Sequence, residues 1–331
     1  MQRLVVGALI AAPFAVGVAM AATAPAGETV FTFADREINE SSGLVALDDF
    51  AVTVNDSGDA ARVFVVSPET GETLGVVSYD GPAVDVEALA PAAGGEAAVW
   101  VGDIGDNLRR RDDLAVTKVP VSATTTTVPG ERYEVAWEGG ADDAEALLVH
   151  PVSGQMYAVT KAVVGGEILR APAELSATQP NVFTPVAEAP ALVTDGAFFP
   201  DGAHFVLRNY GRVFIFETAT MRQVGDVDLP SQQQGEGIAV TPDGEMWIST
   251  EGINTDVVRV ELPPDLAAVV AGTVEEPDSP EAGTSDDPAG DLPGVEDTTA
   301  GADDPAVMPW VIGGLAGLVL VVVLVRSLRP R

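Results

Sequence analysis

The chain has 331 residues and carries 50 acidic side chains against 17 lysines and arginines, a formal net charge of −33. This length accommodates one large or two ordinary domains, and the charge argues against nucleic acid as a partner, because phosphate binding requires Lys and Arg. The absence of cysteine excludes disulfides, thiolate chemistry and cysteine-type zinc sites.

Residues 1–21 are predicted to form a signal peptide. Arg3 precedes an apolar run from Leu4 to Met20, and Ala19-Met20-Ala21 matches the small-x-small cleavage pattern. The mature chain would then begin at Ala22. A first membrane helix that stays uncleaved is the alternative.

Residues 28–265 are predicted to form an all-β domain, a β-propeller, because short apolar segments recur between turns rich in Gly, Pro and Asp. Five segments share an acid or Ser, then Gly or Ala, then an apolar run, at successive spacings of 45, 58, 50 and 41 residues. They begin at Ser42, Glu87, Glu145, Asp195 and Glu236. Further apolar segments follow each of them, as expected of blades with about four strands each.

Five blades are predicted, the last of them completed by the N-terminal strand Glu28–Phe33. The final repeat shows three apolar segments of its own, and an added strand would close the ring and remove an exposed sheet edge. A sixth, degenerate blade within residues 113–140, the longest interval, is the alternative.

One mouth of the predicted central channel carries acidic side chains, because in a propeller the innermost strand of each blade starts where the second strand ends. The starts of the inner strands are Ser42, Glu87, Glu145, Asp195 and Glu236, and the residues two positions earlier include Glu40, Asp85 and Asp143. The ends of the second strands are Asn55, Asp103, Thr160, Arg208 and Thr250, and their successors include Asp56, Lys161, Asn209 and Glu251. The segment VGDIGDN (101–107) is then a turn that places Asp103 beside the acidic ring.

Carboxylates crowded in a cleft either acquire raised pKa values or recruit a counter-ion, and oxygen ligands favour Ca²⁺, with Mg²⁺ next. The predicted metal ligands are Glu87, Asp103, Glu145, Asp195 and Glu236. The predicted ligand-binding residues are Asn55, Asp56, Lys161, Arg208 and Asn209. Two alternatives stay open: the acids cap turns and pair with Arg208 and Lys161, or they transfer protons without a metal.

The two histidines are predicted to lie on the opposite face. His150 ends an inner strand and His204 starts a second strand. A Ser-His-Asp triad at the acidic mouth is therefore not expected.

The C-terminal part is predicted to be a membrane anchor on a stalk. Residues 266–307 are acidic and rich in Pro and Gly, which is typical of a disordered linker. Residues 308–325 are apolar and long enough to span a bilayer, and the basic residues of 326–331 follow at once. The positive-inside rule then predicts a single-pass protein of the cell membrane, with a cytoplasmic tail and the propeller outside the cell.

The segments INESSGLVAL, VNDSG, DVEALA, VGDIGDN and GEGIAVTPDGEMWISTEG resemble secreted bacterial β-propellers of the gluconolactonase-like, NHL-like and esterase-like phytase groups, over most of residues 28–263. In gluconolactonase-like enzymes, acids and asparagines at blade starts hold a divalent metal, which implies that Glu87, Glu145, Asp195 and Glu236 are ligands or bases. In phytase-like propellers several Ca²⁺ ions help to bind phosphate, which implies that Lys161 and Arg208 touch the phosphate.

Two functions are therefore expected. The first is an extracellular, membrane-anchored β-propeller that binds a divalent cation at its channel, together with a ligand or a protein partner. The alternative is a metal-dependent hydrolase of phosphate esters or lactones, with Glu145 and Glu236 as candidate catalytic residues. A purely structural envelope protein, with nothing bound in the channel, is the third possibility.

Overall fold

The computed structural model describes residues 27–56 and 58–272. Almost all regular structure in these residues is β-strand, apart from a three-residue 3-10 helix (Ala93–Gly95) and one short α-helix near the end. In chain order the strands are β1 (Glu28–Thr32), β2 (Ser41–Ala46), β3 (Ala51–Asn55), β4 (Arg62–Val66), β5 (Thr73–Tyr79), β6 (Val86–Pro91), β7 (Ala98–Asp103), β8 (Ala115–Pro120), β9 (Thr126–Val128), β10 (Glu131–Trp137), β11 (Ala144–Val149), β12 (Met156–Thr160), β13 (Gly166–Arg170), β14 (Asn181–Ala189), β15 (Asp195–Phe198), β16 (His204–Arg208), β17 (Arg212–Glu217), β18 (Arg222–Asp228), β19 (Gly235–Val240), β20 (Met246–Thr250) and β21 (Asp256–Val260).

Strands that are consecutive in the sequence pair antiparallel to form the sheets. One sheet has the order β2-β3-β4-β5-β9, and another has the order β15-β16-β17-β18. An eight-stranded sheet contains β6-β7-β8-β10 and β11-β12-β13-β14, which are joined where β10 pairs parallel to β14. The last sheet has the order β1-β21-β20-β19.

The first strands of the repeats form a closed ring. These inner strands are β2, β6, β11, β15 and β19, and each packs against the next, with β19 returning to β2. The N-terminal β1 pairs antiparallel with the C-terminal β21, from Glu28 opposite Arg259 to Thr32 opposite Asp256. The predicted completion of the last sheet by the N-terminal strand is therefore confirmed. The fold is all-β and propeller-like.

The hydrophobic core is divided into clusters that lie between neighbouring sheets. One cluster packs Phe31 and Phe33 against Leu44 and Phe64, and thus joins the sheet of β1 to the sheet of β2. Close approach of the inner strands requires a small residue after the acid or Ser of each repeat. A Cβ on Gly43 would lie 2.7 Å from the backbone nitrogen of Leu89, in the neighbouring inner strand.

Residues 113–140, which the sequence leaves open as a sixth blade, supply β8, β9 and β10. β8 and β10 complete the sheet that starts with β6, while β9 pairs parallel to β5 and extends the preceding sheet. These residues therefore belong to two sheets that are also built from other parts of the chain.

Helix α1 (Pro264–Val270) follows the last strand. Its Leu266 and Val270 pack against a core cluster that contains Leu229 and Val260. The boundary predicted between the propeller at 28–265 and the linker at 266–307 falls inside this helix.

Several predicted segments lie outside the described residues. They are the signal peptide (1–21), the linker beyond residue 272, the transmembrane helix (308–325) and the basic tail (326–331). Residues 27–56 and 58–272 include no helix with both the length and the apolar character needed to cross a bilayer.

Candidate functional site

The predicted acidic side chains meet at one end of the ring, which we call the acidic mouth. The second strands are β3, β7, β12, β16 and β20, and each runs antiparallel to its inner strand. The beginning of each inner strand therefore lies beside the end of a second strand. The second strands end at Asn55, Asp103, Thr160, Arg208 and Thr250, the residues that the repeat pattern predicts.

A β-bulge marks the acid or Ser position in four of the five inner strands. In β6, Val86 pairs with Asp103 and Ala88 pairs with Gly102, so Glu87 has no partner in register. The same shift leaves out Ser42 in β2 and Glu145 in β11, and it occurs beside Glu236 in β19. Bulges redirect side chains and are frequent at functional sites, and here they mark the inner-strand positions at the acidic mouth.

Three carboxylates from two neighbouring sheets form what we call the acidic cluster, Asp56, Asp85 and Glu87. One oxygen from each lies within 4.8 Å of the other two, a spacing that could hold a metal ion. Glu87 is buried and accepts a hydrogen bond from Ser42 Oγ at 3.1 Å. Burial, followed by the charges of Glu145, Asp56 and Asp85, raises the pKa of Glu87 to about 10. The cluster therefore favours a proton or a cation.

The loop VGDIGDN closes over the acidic cluster through its backbone. A Cβ on Gly105 would lie 2.6 Å from Asp85 Oδ2 and 2.7 Å from Glu87 Cγ. The Gly105 N–H donates to the Asp85 carbonyl at 3.1 Å, and the Asp106 N–H donates to Asp143 Oδ1 at 2.7 Å. Any larger residue at position 105 would force the loop or the two carboxylates to move.

A second group of charges surrounds Lys161. Its Nζ lies 2.6 Å from Glu145 Oε2 and 5.5 Å from the ring centroid of Tyr210. Burial raises the pKa of Glu145 to about 8, against the lowering effect of Lys161. Burial also raises the pKa of Glu236, again opposed by the Lys161 charge. Lys161 thus acts as the counter-charge for two buried glutamates.

Glu251 extends the acidic mouth toward solvent. Its Oε1 accepts a hydrogen bond from Gln234 Nε2 at 2.7 Å. Burial, together with the charges of Glu236, Asp56 and Glu40, raises the pKa of Glu251 to about 7. This carboxyl group therefore changes between its protonated and ionised forms near neutral pH.

Asp195 and Arg208 differ from the other members of the predicted ring, because both are fully buried. Asp195 Oδ2 accepts from the Ile238 N–H at 2.7 Å and its Oδ1 from the Gly196 N–H at 2.8 Å. Arg208 donates to the carbonyls of Gly237 and Ser249. The two side chains tie β15 and β16 to the last sheet and are withdrawn from solvent.

The side chains of three further predicted site residues accept hydrogen bonds from backbone N–H groups. Asn55 Oδ1 accepts from the N–H groups of Asn39 and Glu40. Asp103 accepts in the same way from the N–H groups of Val84 and Asp85, and it also pairs with Arg111 at 2.8 Å. Asn209 Oδ1 accepts from the N–H groups of Gly211 and Arg212. These side chains shape the loops of the acidic mouth, and Asp103 in particular positions Asp85.

The structure thus brings together Asp56, Glu87, Glu145, Lys161 and Glu236 of the predicted residues. Asp85 and Glu251 join them; the repeat pattern also places both at this mouth, without assigning them a binding role. Tyr210 joins them as well, and the repeat pattern does not predict it. Asp85 stands two residues before Glu87 and hence on the same side of an extended chain, which is the signal that places it at this mouth. Tyr210 lies in a two-residue turn next to Asn209 and has no such signal.

A cavity of about 330 Å³ lies at the opposite mouth, where the inner strands end. Its walls include Leu47, Phe50 and Phe198. The ring of His150 lies 5.1 Å from the ring of Phe198, measured between centroids. His150 is therefore located at this opposite mouth, as the sequence predicts.

Comparisons with known proteins give structural likeness alone. No family model matches the sequence, and a search of curated proteins gives no match. Similar solved structures include a glucose dehydrogenase, at 11% identity and a TM-score of 0.45, covering 72% of this chain and 100% of that chain. Glutaminyl cyclase of Myxococcus xanthus matches at 12% identity and a TM-score of 0.47, covering 70% and 98%. The β-propeller domain of Cps50 (Swd1) from Myceliophteria thermophila matches at 14% and 0.37, covering 68% and 65%.

At these identities and TM-scores the comparisons carry no argument about activity. The propeller-like fold rests on the closed ring of inner strands and on the pairing of β1 with β21.

Proposed function

We propose that this protein is a five-bladed, extracellular, membrane-anchored β-propeller that binds a divalent cation at its acidic mouth and presents it to a ligand. The observation that carries the proposal is the acidic cluster, in which oxygens of Asp56, Asp85 and Glu87 converge within 4.8 Å. The blade count is supported by five inner strands in one ring. The location is supported by the sequence of the two chain ends.

The chemistry of the acidic cluster favours a hard cation. Three carboxylates in one cleft repel one another, and a bound divalent ion would offset that repulsion more completely than one proton. The oxygen ligands suit Ca²⁺ first, because Ca²⁺ takes six to eight oxygens in flexible geometry. The three carboxylates leave further coordination positions for water or for an oxygen of a ligand.

Calorimetric titration of the full-length protein with Ca²⁺, and separately with Mg²⁺, tests this proposal. Asp85→Asn should abolish the binding heat, because it removes one charged ligand at the centre of the acidic cluster. Asp49→Asn is the matched control, since Asp49 is exposed and lies at the opposite mouth. Binding that is absent in the wild-type protein, or equal in D85N and D49N, would refute the cation site.

A metal-dependent hydrolase is the second candidate. It is favoured by the pKa of Glu145, about 8, which suits a general acid or base near neutral pH. The positive charge of Lys161 acts on both Glu145 and Glu236, and it could orient an anionic substrate. Hydrolysis of p-nitrophenyl phosphate and of a δ-lactone should then be lost in E145Q and E236Q while the cation still binds. A wild-type protein that hydrolyses neither compound would contradict the hydrolase and leave cation binding as the only proposed function.

A further inference from the structure

The loops that surround the acidic mouth expose large apolar side chains. Five loops follow the second strands, and in the described residues four of them carry at least one such side chain. Val163 and Val164 are 78% and 96% exposed, and Leu108 is 67% exposed. Together with a residue before β6, they form what we call the apolar rim: Val84, Leu108, Val163, Val164, Tyr210 and Ile253.

The apolar rim accounts for most of the exposed large apolar side chains in residues 27–56 and 58–272. Six of nine belong to it, and the other three are Leu74, Val152 and Val182. Scattered apolar side chains are normal on protein surfaces, but their concentration around one opening marks an interaction site. Core packing does not explain these residues, because they face solvent.

The centre of the same face has more carboxyl groups than cations. Glu87, Glu145 and Glu236 are buried there, and Glu251 lies beside them. The largest opposing positive charges are Lys161, for all four carboxyl groups, and Arg208, for Glu236. Lys161 is held by Glu145, and Arg208 is fully buried. The face therefore presents carboxyl groups in excess of cations inside an apolar border, and a basic side chain would favour the ionised form of those carboxyl groups.

We propose that this face docks a polypeptide segment in which a basic side chain is flanked by apolar side chains. The basic group enters the acidic mouth beside Glu236 and Glu251, and the flanking side chains pack against Val163, Val164 and Tyr210. A second copy of the chain is disfavoured, because it would bring another acidic mouth against the first. The inference concerns the same face as the cation site and does not depend on the cation.

Selection from a random displayed-peptide library on the full-length protein tests the inference. With no metal added, the selected peptides should be enriched in Lys or Arg between apolar residues. Their affinity should fall at least about tenfold in V163D/V164D, because the loss of the apolar contacts outweighs the added attraction between aspartate and the basic side chain of the peptide. Val152→Asp is the matched control, since Val152 is 76% exposed in the His150–Gln155 turn, away from the acidic mouth.

Three results would overturn the inference. One is a selection that yields no peptide, or peptides without basic residues. Another is equal binding by V163D/V164D and V152D. The third is self-association of the full-length protein that the rim variant abolishes, which would assign the face to a second copy. Calcium titration of V163D/V164D separates a failure of the docking inference from a failure of the cation site, because the variant leaves the acidic cluster intact and should still bind Ca²⁺.

Discussion

Lys161 Nζ contacts Glu145 Oε2 at 2.6 Å, and this ion pair joins the end of a second strand to the bulge of its inner strand. Both side chains are largely withdrawn from water, and the same lysine also offsets the charge of Glu236. The pair therefore controls how much negative charge the acidic mouth carries at neutral pH.

Lys161→Met should destabilise the protein by about 1–3 kcal/mol. Breaking a buried ion pair typically costs about 3–5 kcal/mol, but Glu145 can take up a proton and so reduce the cost. The loss should grow with pH, because an ionised Glu145 is then left without its counter-charge. Urea denaturation of K161M, E145Q and the double variant gives the coupling between the two residues. Additive effects would show that the pair contributes nothing.

Stability without divalent cations should decrease as the pH rises above about 5. The pKa of Glu251 is raised to about 7, that of Glu145 to about 8 and that of Glu87 to about 10, from a usual value of 4.5. Between 4.5 and these values the folded protein binds more protons than the unfolded chain, so the free energy of unfolding falls with pH.

Urea denaturation in chelator, across about pH 5 to about pH 9, measures this dependence. Glu87→Gln should flatten it, because the amide mimics the protonated acid. Added Ca²⁺ should also flatten it if the ion replaces the protons. A free energy of unfolding that rises with pH over this range would contradict the raised pKa values.

Gly105→Ala should weaken cation binding and destabilise the fold by about 1–3 kcal/mol. The new methyl group would lie 2.6 Å from Asp85 Oδ2, so either the loop or the carboxylates must move. Gly139→Ala is the control, because a Cβ there meets no atom within 4 Å. Thermal unfolding with and without Ca²⁺ measures both effects, and equal behaviour of G105A and G139A would show that the loop does not support the cluster.

Phe31→Ala should cost about 3–5 kcal/mol, because it removes a buried ring from the strand that closes the sheet ring. The Phe31 ring packs edge-on against Phe33 and Trp247, with centroids 5.5 and 6.2 Å apart. Leu74→Ala, at a partly exposed position in β5, should cost under about 1 kcal/mol. Denaturant midpoints give the comparison, and similar costs would mean that β1 does not secure the closure.

Much of the fold can be read from local pattern. Short apolar runs between Gly, Pro and Asp turns mark the inner and second strands, and the second strands end at the predicted Asn55, Asp103 and Arg208. The pairing of β1 with β21 also follows from counting strand segments in the last repeat. Helix α1 and the extra strand β9 do not follow, because both are short and neither is part of the repeat pattern.

The candidate site is likewise predictable only in part from the sequence. The sequence by itself determined which acids reach one mouth of the ring, because strand order and period 2 set the positions of Glu87, Glu145 and Glu236. Only the tertiary structure decided which of them face the opening. Asp195 accepts a hydrogen bond from a backbone N–H of another sheet, and Asp103 and Asn55 accept hydrogen bonds from loop N–H groups. Bulges change the direction of the Glu87 and Glu145 side chains. These outcomes depend on hydrogen bonds between separate strands and loops, which no local pattern specifies.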